Sequence, residues 1–463
     1  MPGFLTNLLE SLRGRRTDMR FLCRRLLSER GEASQTALAQ EIINAYGAMN
    51  SEQRLAFFKM LNREFSVDAA KIRGAAAAYE RSRSAENLAA LSAAVEAPRQ
   101  ELIRRINTAP GGTETLVALR GQVLEASRDN GADFGELDAD LRHLFRSWFN
   151  RGFLRLERIS WQSSALILEK LIRYESVHEI NGWPDLRRRL EADRRCFAFF
   201  HPALANEPII FLEVALCDGL AGDLEPLLDV KAPVLAPGKM DTAIFYSINN
   251  CLPGLRNVPM GNFLIKQVVA ELAGEFPNVK TYSTLSPLPR FSRALRDTQN
   301  EQGFTPRRLS RLLSDYGRDL TAASGRRDIV DAFFHLVEQP LSHRKILGEP
   351  LQRLGLAYLT CARRDGKLYD QVATFHLSNG ARLERVNAFG NLRPYGLEAS
   401  VGLTVNYRYL PAEFEENHER FVRGGKIRVS SGLFQEHKKV IEAWQPSREE
   451  SRARNSPRSF GIE

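Results

Sequence analysis

The chain has 463 residues, more than one hydrophobic core usually serves, which implies two domains, or three counting insertions. Its 43% apolar and 26% charged content excludes a disordered chain, and its most apolar run, residues 208–216, is of strand length and carries Glu213, which excludes a spanning helix and implies a soluble protein without membrane contact. A formal charge of +9 invites a nucleic-acid reading, but clusters such as Arg187, Arg188 and Arg189 are short, dispersed and not interleaved with base-stacking aromatics, so they read as solvated helix faces.

The first thirty residues are basic and amphipathic like a transit peptide, yet Glu10, Asp18 and Glu29 interrupt the charge pattern. Onward to Phe149 the apolar spacing is helical, through an alanine-rich stretch at 75–97 and again at 116–126. Residues 1–150 are therefore predicted to form an all-α bundle, expected to serve as scaffold or oligomerisation domain, with its exit at Asn150-Arg151-Gly152. The five cysteines are scattered, with no CxxC pair and no histidine at ligand spacing, so no metal site or disulfide framework is expected and a reducing, cytoplasmic setting fits.

Beyond Trp183 short β-rich runs alternate with helices. Residues 197–200, 208–216 and 242–248 read as strands; then come a loop, a helix over 262–276 and a strand over 279–285. That order is a βαβ unit with parallel strands. Residues 305–361 are helical again and read as an insertion or lid; 371–377 and 381–387 read as a hairpin joined by Ser378-Asn379-Gly380; 403–409 reads as a last strand, and 446–463 as a flexible tail. The fold class is α+β, a helical bundle followed by a mixed-sheet domain.

In a βαβ unit the helix N-terminus and both strand ends share one sheet edge, where ligands of open α/β sheets bind. Arg256, Asn257, Val258, Pro259, Met260, Gly261 and Asn262 fall there, and so does Ser286. Free helix N–H groups, the charge of Arg256 and the missing Cβ of Gly261 suit a diphosphate. The loop resembles the coenzyme-A loop of GNAT-type acyltransferases, with Arg256 and Gly261 matching and Pro259 replacing a glycine. Ser286 precedes Pro287 and lacks the Gly-x-Ser-x-Gly of a nucleophile elbow, and a strand-end serine also serves simply to cap a turn. Among eight histidines His376 stands out in apolar company, and His201 is a second candidate.

Several ordered blocks between about 150 and 409 are similar to the malonyl-CoA decarboxylase family: Asn150-Arg151-Gly152-Phe153-Leu154, Ala243-Ile244-Phe245-Tyr246-Ser247-Ile248, Phe263-Leu264-Ile265-Lys266, Leu285-Ser286-Pro287-Leu288-Pro289, Phe375-His376-Leu377 and Asn406-Tyr407-Arg408-Tyr409. The resemblance implies a helical oligomerisation domain, a GNAT-like catalytic domain over 151–463, a homo-oligomer (dimer or tetramer), no metal or prosthetic group, and malonyl-CoA and acetyl-CoA as ligands. It places the acyl-CoA loop on residues 256–262, the catalytic serine on Ser286 and the catalytic histidine on His376. For the chemistry itself, His201 and Tyr407 are further expected to add hydrogen bonds to the acyl group. The C-terminal Phe460-Gly461-Ile462-Glu463 is not a peroxisomal address, which fits a cytoplasmic bacterial enzyme. The rival reading is a GNAT-type acyl-CoA N-acyltransferase.

Overall fold

Capping chemistry and apolar periodicity divide the N-terminal third into helices. In the computed structural model, which describes residues 18–258 and 264–445, they are α1 (Met19–Ser28), α2 (Glu32–Gly47), α3 (Ser51–Glu64), α4 (Ala69–Arg81), α5 (Ala85–Val95), α6 (Pro98–Asn107), α7 (Gly112–Asn130) and α8 (Gly135–Trp148). Asn50 and Gln53 close a capping box on α3, and Asp68 and Ser84 cap α4 and α5. The basic segment's first seventeen residues and the tail 446–463 lie outside the described residues. No described helix is long and apolar enough to cross a membrane.

A sheet of eight strands follows: β1 (Arg155–Ile159), β2 (Arg194–Phe200), β3 (Pro208–Cys217), β4 (Thr242–Asn250), β5 (Thr281–Thr284), β6 (Ser286–Pro287), β9 (Arg382–Asn387) and β10 (Thr404–Tyr409). A small separate ribbon joins β7 (Arg363–Arg364) to β8 (Lys367–Leu368). The spatial order is β1-β2-β3-β4-β5-β10-β6, with β9 on the other side of β10. Among the paired strands of the described residues only β4 and β5 run parallel, as the βαβ reading requires. Strand β1 was not foreseen: Arg155, Glu157 and Arg158 leave it too polar to signal a strand, yet it pairs with β2 along its whole length.

Helices α9 (Ala165–Tyr174) and α10 (Trp183–Arg189) lie between β1 and β2, α11 (Glu225–Leu228) between β3 and β4, and α12 (Leu264–Glu275) crosses from β4 to β5. Val268 and Leu272 of α12 share a core with Phe245, Tyr282, Tyr407 and Tyr409, while Ile244, Tyr246 and Leu285 face Leu224, Leu227 and Leu228. Helices α13 (Phe291–Arg296), α14 (Pro306–Leu313), α15 (Gly317–Ser324), α16 (Ile329–Val337) and α17 (Arg344–Thr360) follow β6. In α17 every residue from Arg353 to Thr360 is buried, and Gln352 donates to the Val386 carbonyl of β9 (3.0 Å). The described residues end with α18 (Gln371–Ser378), α19 (Pro394–Ser400), α20 (Phe414–Gly424) and α21 (Ser431–Trp444).

One assignment at the site is corrected. Residues 371–377, expected as a hairpin strand, form α18 instead. Asp370 caps it through the Ala373 N–H (2.6 Å), and Asn379-Gly380 ends it rather than turning a hairpin. Ala381 N–H bonds the His376 carbonyl, Gly380 N–H bonds the Leu377 carbonyl, and Gly380 takes φ +82°. This is a Schellman cap, which uses the same Asn-Gly chemistry as a tight β-turn. At Gly380 a Cβ would also overlap the Phe414 carbonyl.

Candidate active site

The parallel pairing of β4 with β5 ends at Phe245 and Thr284, where Leu285 N–H still reaches the Phe245 carbonyl (3.0 Å). Beyond that point β4 runs on to Asn250, whereas the other strand bends away, so that Ser286 and Pro287 pair with Val405 and Thr404 of β10. The two strands thus part at the edge where the crossover helix begins. Against β3, Glu213 faces Ser247 and Val214 faces Phe245, leaving Tyr246 as the extra residue of a β-bulge. A buried cluster fixes this stretch: Glu175 accepts from Ser247 Oγ (2.7 Å) and Asn249 Nδ2 (2.8 Å), and His178 Nε2 lies 3.0 Å from the Tyr246 carbonyl.

Two side chains 90 residues apart in sequence meet beside that opening. Ser286 Oγ lies 3.1 Å from His376 Nε2 and 2.9 Å from Thr284 Oγ1. The other imidazole nitrogen, Nδ1, lies 2.8 Å from the Tyr409 hydroxyl. Tyr407 stacks on the imidazole with ring centroids 4.7 Å apart, and its own hydroxyl is closed to solvent without a partner. His376 is 3% exposed, and burial lowers its pKa to about 3, so the resting ring is neutral. Beneath it Asp370, the cap of α18, accepts from Tyr358 Oη (2.9 Å), and burial raises its carboxyl above the usual range.

Not every expected residue joins this pair. His201 accepts from Ala203 N–H at Nδ1 (3.1 Å), which leaves Nε2–H to donate to the Trp148 carbonyl (3.1 Å); its ring packs on Phe149, so it ties the start of the sheet to α8. The structure therefore does not bring His201 to Ser286. Val258 is buried in the core, and Asn257 takes the left-handed conformation (φ +60°) that asparagine tolerates. Pro259, Met260, Gly261 and Asn262 lie outside the described residues. Arg256 lines a cleft of ≈620 Å³ together with residues of α7.

Helix α7 also holds that turn. Arg120 is paired with Asp138 (2.8 Å) and donates to the carbonyls of Gly254 (2.6 Å) and Arg256 (2.9 Å). A Cβ at Gly254 would overlap the Val117 carbonyl, so the approach needs glycine. Among the described residues no group of three or more His, Cys, Asp or Glu has the arrangement of a metal site.

Residues 65–149 match the malonyl-CoA decarboxylase N-terminal domain, and residues 152–449 match the malonyl-CoA decarboxylase C-terminal domain. The chain belongs to the malonyl-CoA decarboxylase family. It thereby falls among the carboxy-lyases. It is 31% identical over 425 residues to the mouse protein named malonyl-CoA decarboxylase, mitochondrial, covering 88% of this chain and 86% of that one. The crystal structure of malonyl-CoA decarboxylase from Rhodopseudomonas palustris superposes with a TM-score of 0.79 at 42% identity, covering 90% of this chain and 98% of that one. That from Agrobacterium vitis gives 0.76 at 41%, covering 91% and 99%. Within this malonyl-CoA decarboxylase fold, the family boundary at 149–152 coincides with the exit from α8.

The sequence alone did not single out Thr284 or Tyr409 as partners of Ser286 and His376. Tyr409 carried a usable signal, since it lies two residues beyond Tyr407 on one strand and so shares its face.

Proposed function

We propose that this chain converts malonyl-CoA to acetyl-CoA and carbon dioxide, with Ser286 and His376 as the reacting pair. The observation that carries this is a serine hydroxyl 3.1 Å from a buried, neutral imidazole, in a chain of this family. Cleavage of the carbon–carbon bond releases CO2 and leaves its electron pair delocalised onto the thioester oxygen as an enolate. One proton must then be added to the α-carbon. Ser286 hydrogen-bonds the malonyl carboxylate or thioester and fixes its orientation, and the unpartnered hydroxyl of Tyr407 is a second donor to the acyl group. Such preorganised donors are each worth about 3 kcal/mol at a developing oxyanion.

Burial favours the neutral form of His376; a malonyl carboxylate brought alongside raises its proton affinity, because an opposite charge favours the imidazolium. The ring then protonates the enolate and returns to neutral. A positioned general acid contributes roughly a hundredfold to ten-thousandfold. The chemistry calls for no redox or metal cofactor. The diphosphate of coenzyme A is assigned to the turn at Arg256 and the start of the crossover helix, where the charge and free N–H groups favour it.

Assembly into a homo-oligomer is part of the same reading. Helices α4 and α5 have no buried residue, yet are rich in alanine and expose Leu88 and Val95, an apolar surface suited to a second copy. The activity is tested by incubating the purified protein with malonyl-CoA alone. Carbon dioxide and acetyl-CoA in equal amounts are expected; product only when an amine is added, with the acyl group transferred to it, would identify an N-acyltransferase.

A further inference from the structure

One edge of the sheet takes no part in the decarboxylation chemistry. Among the named strands β9 pairs only with β10. Along its other side run residues 427–430, in the link between α20 and α21. Leu383 N–H donates to the Arg428 carbonyl and Ser430 N–H to the Leu383 carbonyl (2.8 Å each), which bridges Leu383 to Val429 in parallel. Bonds from the residues on either side of Val429 turn its own N–H and C=O away from β9. The backbone groups of Ile427 and Val429 have no hydrogen-bond partner among the described residues. The link is therefore bridged on its inner side and open on its outer one.

This open side borders a groove of ≈820 Å³ that α21 also lines. Ile427 and Val429 from the link, and the exposed side chains of Phe434 and Ile441 from α21, give it apolar surface. Arg382, Arg420, Lys426 and Arg428 line it as well, and no carboxylate does. Arg382 is paired with Glu384 (2.7 Å) and Arg420 with Glu416. The side chains of Lys426 and Arg428 have no ion pair and no hydrogen bond among the described residues.

Three features together fix the class of partner. Unpaired amides in an extended segment bond another extended chain, as in strand addition to a sheet edge. An extended chain presents its side chains alternately to two faces, so acids at every second position can meet the cations while the residues between them cover the apolar surface. A second copy of this edge is disfavoured, because it would set Lys426 and Arg428 against like charges.

We propose that this groove binds an extended acidic peptide of a partner protein, paired with the open backbone of Ile427 and Val429 and held by Lys426 and Arg428. The assignment does not depend on which reaction the chain catalyses.

The test titrates the full chain into a fluorescein-labelled, end-capped peptide of alternating glutamate and valine, followed by anisotropy. Saturable binding is expected. Lys426→Glu and Arg428→Glu together, both on exposed side chains, are expected to weaken it at least about tenfold, the loss of two charge-assisted contacts. The same peptide with its amides N-methylated keeps every charge but has no backbone donor, and is expected to bind at least about tenfold more weakly. No binding by the wild type, equal binding by the double variant, or equal binding of the N-methylated peptide overturns the proposal, the last by showing a site for anions without strand pairing. Peptide binding that appears only when residues 446–463 are removed would give the groove to the chain's own tail and overturns it as well.

Discussion

The Tyr409 hydroxyl sits 2.8 Å from His376 Nδ1, while Ser286 Oγ sits 3.1 Å from Nε2, so the imidazole is held at both nitrogens by side chains from different parts of the chain. Tyr409 bonds the imidazole and not the serine, so it acts by orienting the ring. Replacing it by phenylalanine keeps the packing against Phe245 and Phe414 but removes that hydrogen bond, typically worth about 1 kcal/mol. Tyr409→Phe is therefore expected to lower kcat roughly fivefold to tenfold with little change in KM. Steady-state kinetics on malonyl-CoA check this.

Substrate binding is expected to take up a proton. Burial lowers the imidazole to about 3, and an adjacent carboxylate moves it upward. Calorimetry of a non-cleavable malonyl-CoA analogue in buffers of different ionisation enthalpy measures the number of protons bound near pH 7. A positive number that disappears in His376→Gln is the expected result.

The same burial makes the fold sensitive to acid. His376 is lowered to about 3 and His178 to about 4, both chiefly by burial, against an ordinary value near 6.5. Above that ordinary value both rings are neutral whether folded or unfolded and contribute no pH dependence. As pH falls below it, the unfolded chain takes up protons that the native state refuses, so stability is lost progressively down toward the folded values. Urea denaturation between pH 7 and pH 4 is expected to show this loss, and His376→Gln is expected to reduce the proton uptake on unfolding by about one.

The bare α4–α5 surface carries its own expectation. Arginine in place of both Leu88 and Val95 leaves each helix capped and removes no buried contact, since neither helix has a buried residue. Light scattering during size-exclusion chromatography is expected to show a smaller assembly for this variant than for the wild type.

Much of the architecture was legible because it rests on local periodicity. The helical third, the β4–α12–β5 crossover and the exit after α8 all follow from spacing that tertiary packing does not override. Helix α18 was misread for a definite reason. A short run containing Val372 and Thr374 before Asn379-Gly380 fits a hairpin as well as a capped helix, and only the Asp370 cap and the Phe414 carbonyl against Gly380 decide between them. His201 looked like a site residue because an isolated histidine after two phenylalanines signals a special environment; the demand it meets is the Trp148 carbonyl at the end of α8. The contacts from Tyr409 and Thr284 to the pair depend on the register of β10 against β5 and β6, a long-range pairing with no local mark in the sequence.

Carbon dioxide release from saturating malonyl-CoA by the wild type and by His376→Ala, with coenzyme-A binding measured on both, addresses the proposed chemistry most directly. The expected result is stoichiometric carbon dioxide and acetyl-CoA from the wild type, and turnover at least about a hundredfold lower in the variant with coenzyme-A affinity retained. A His376→Ala protein that turns over malonyl-CoA at near the wild-type rate would contradict it.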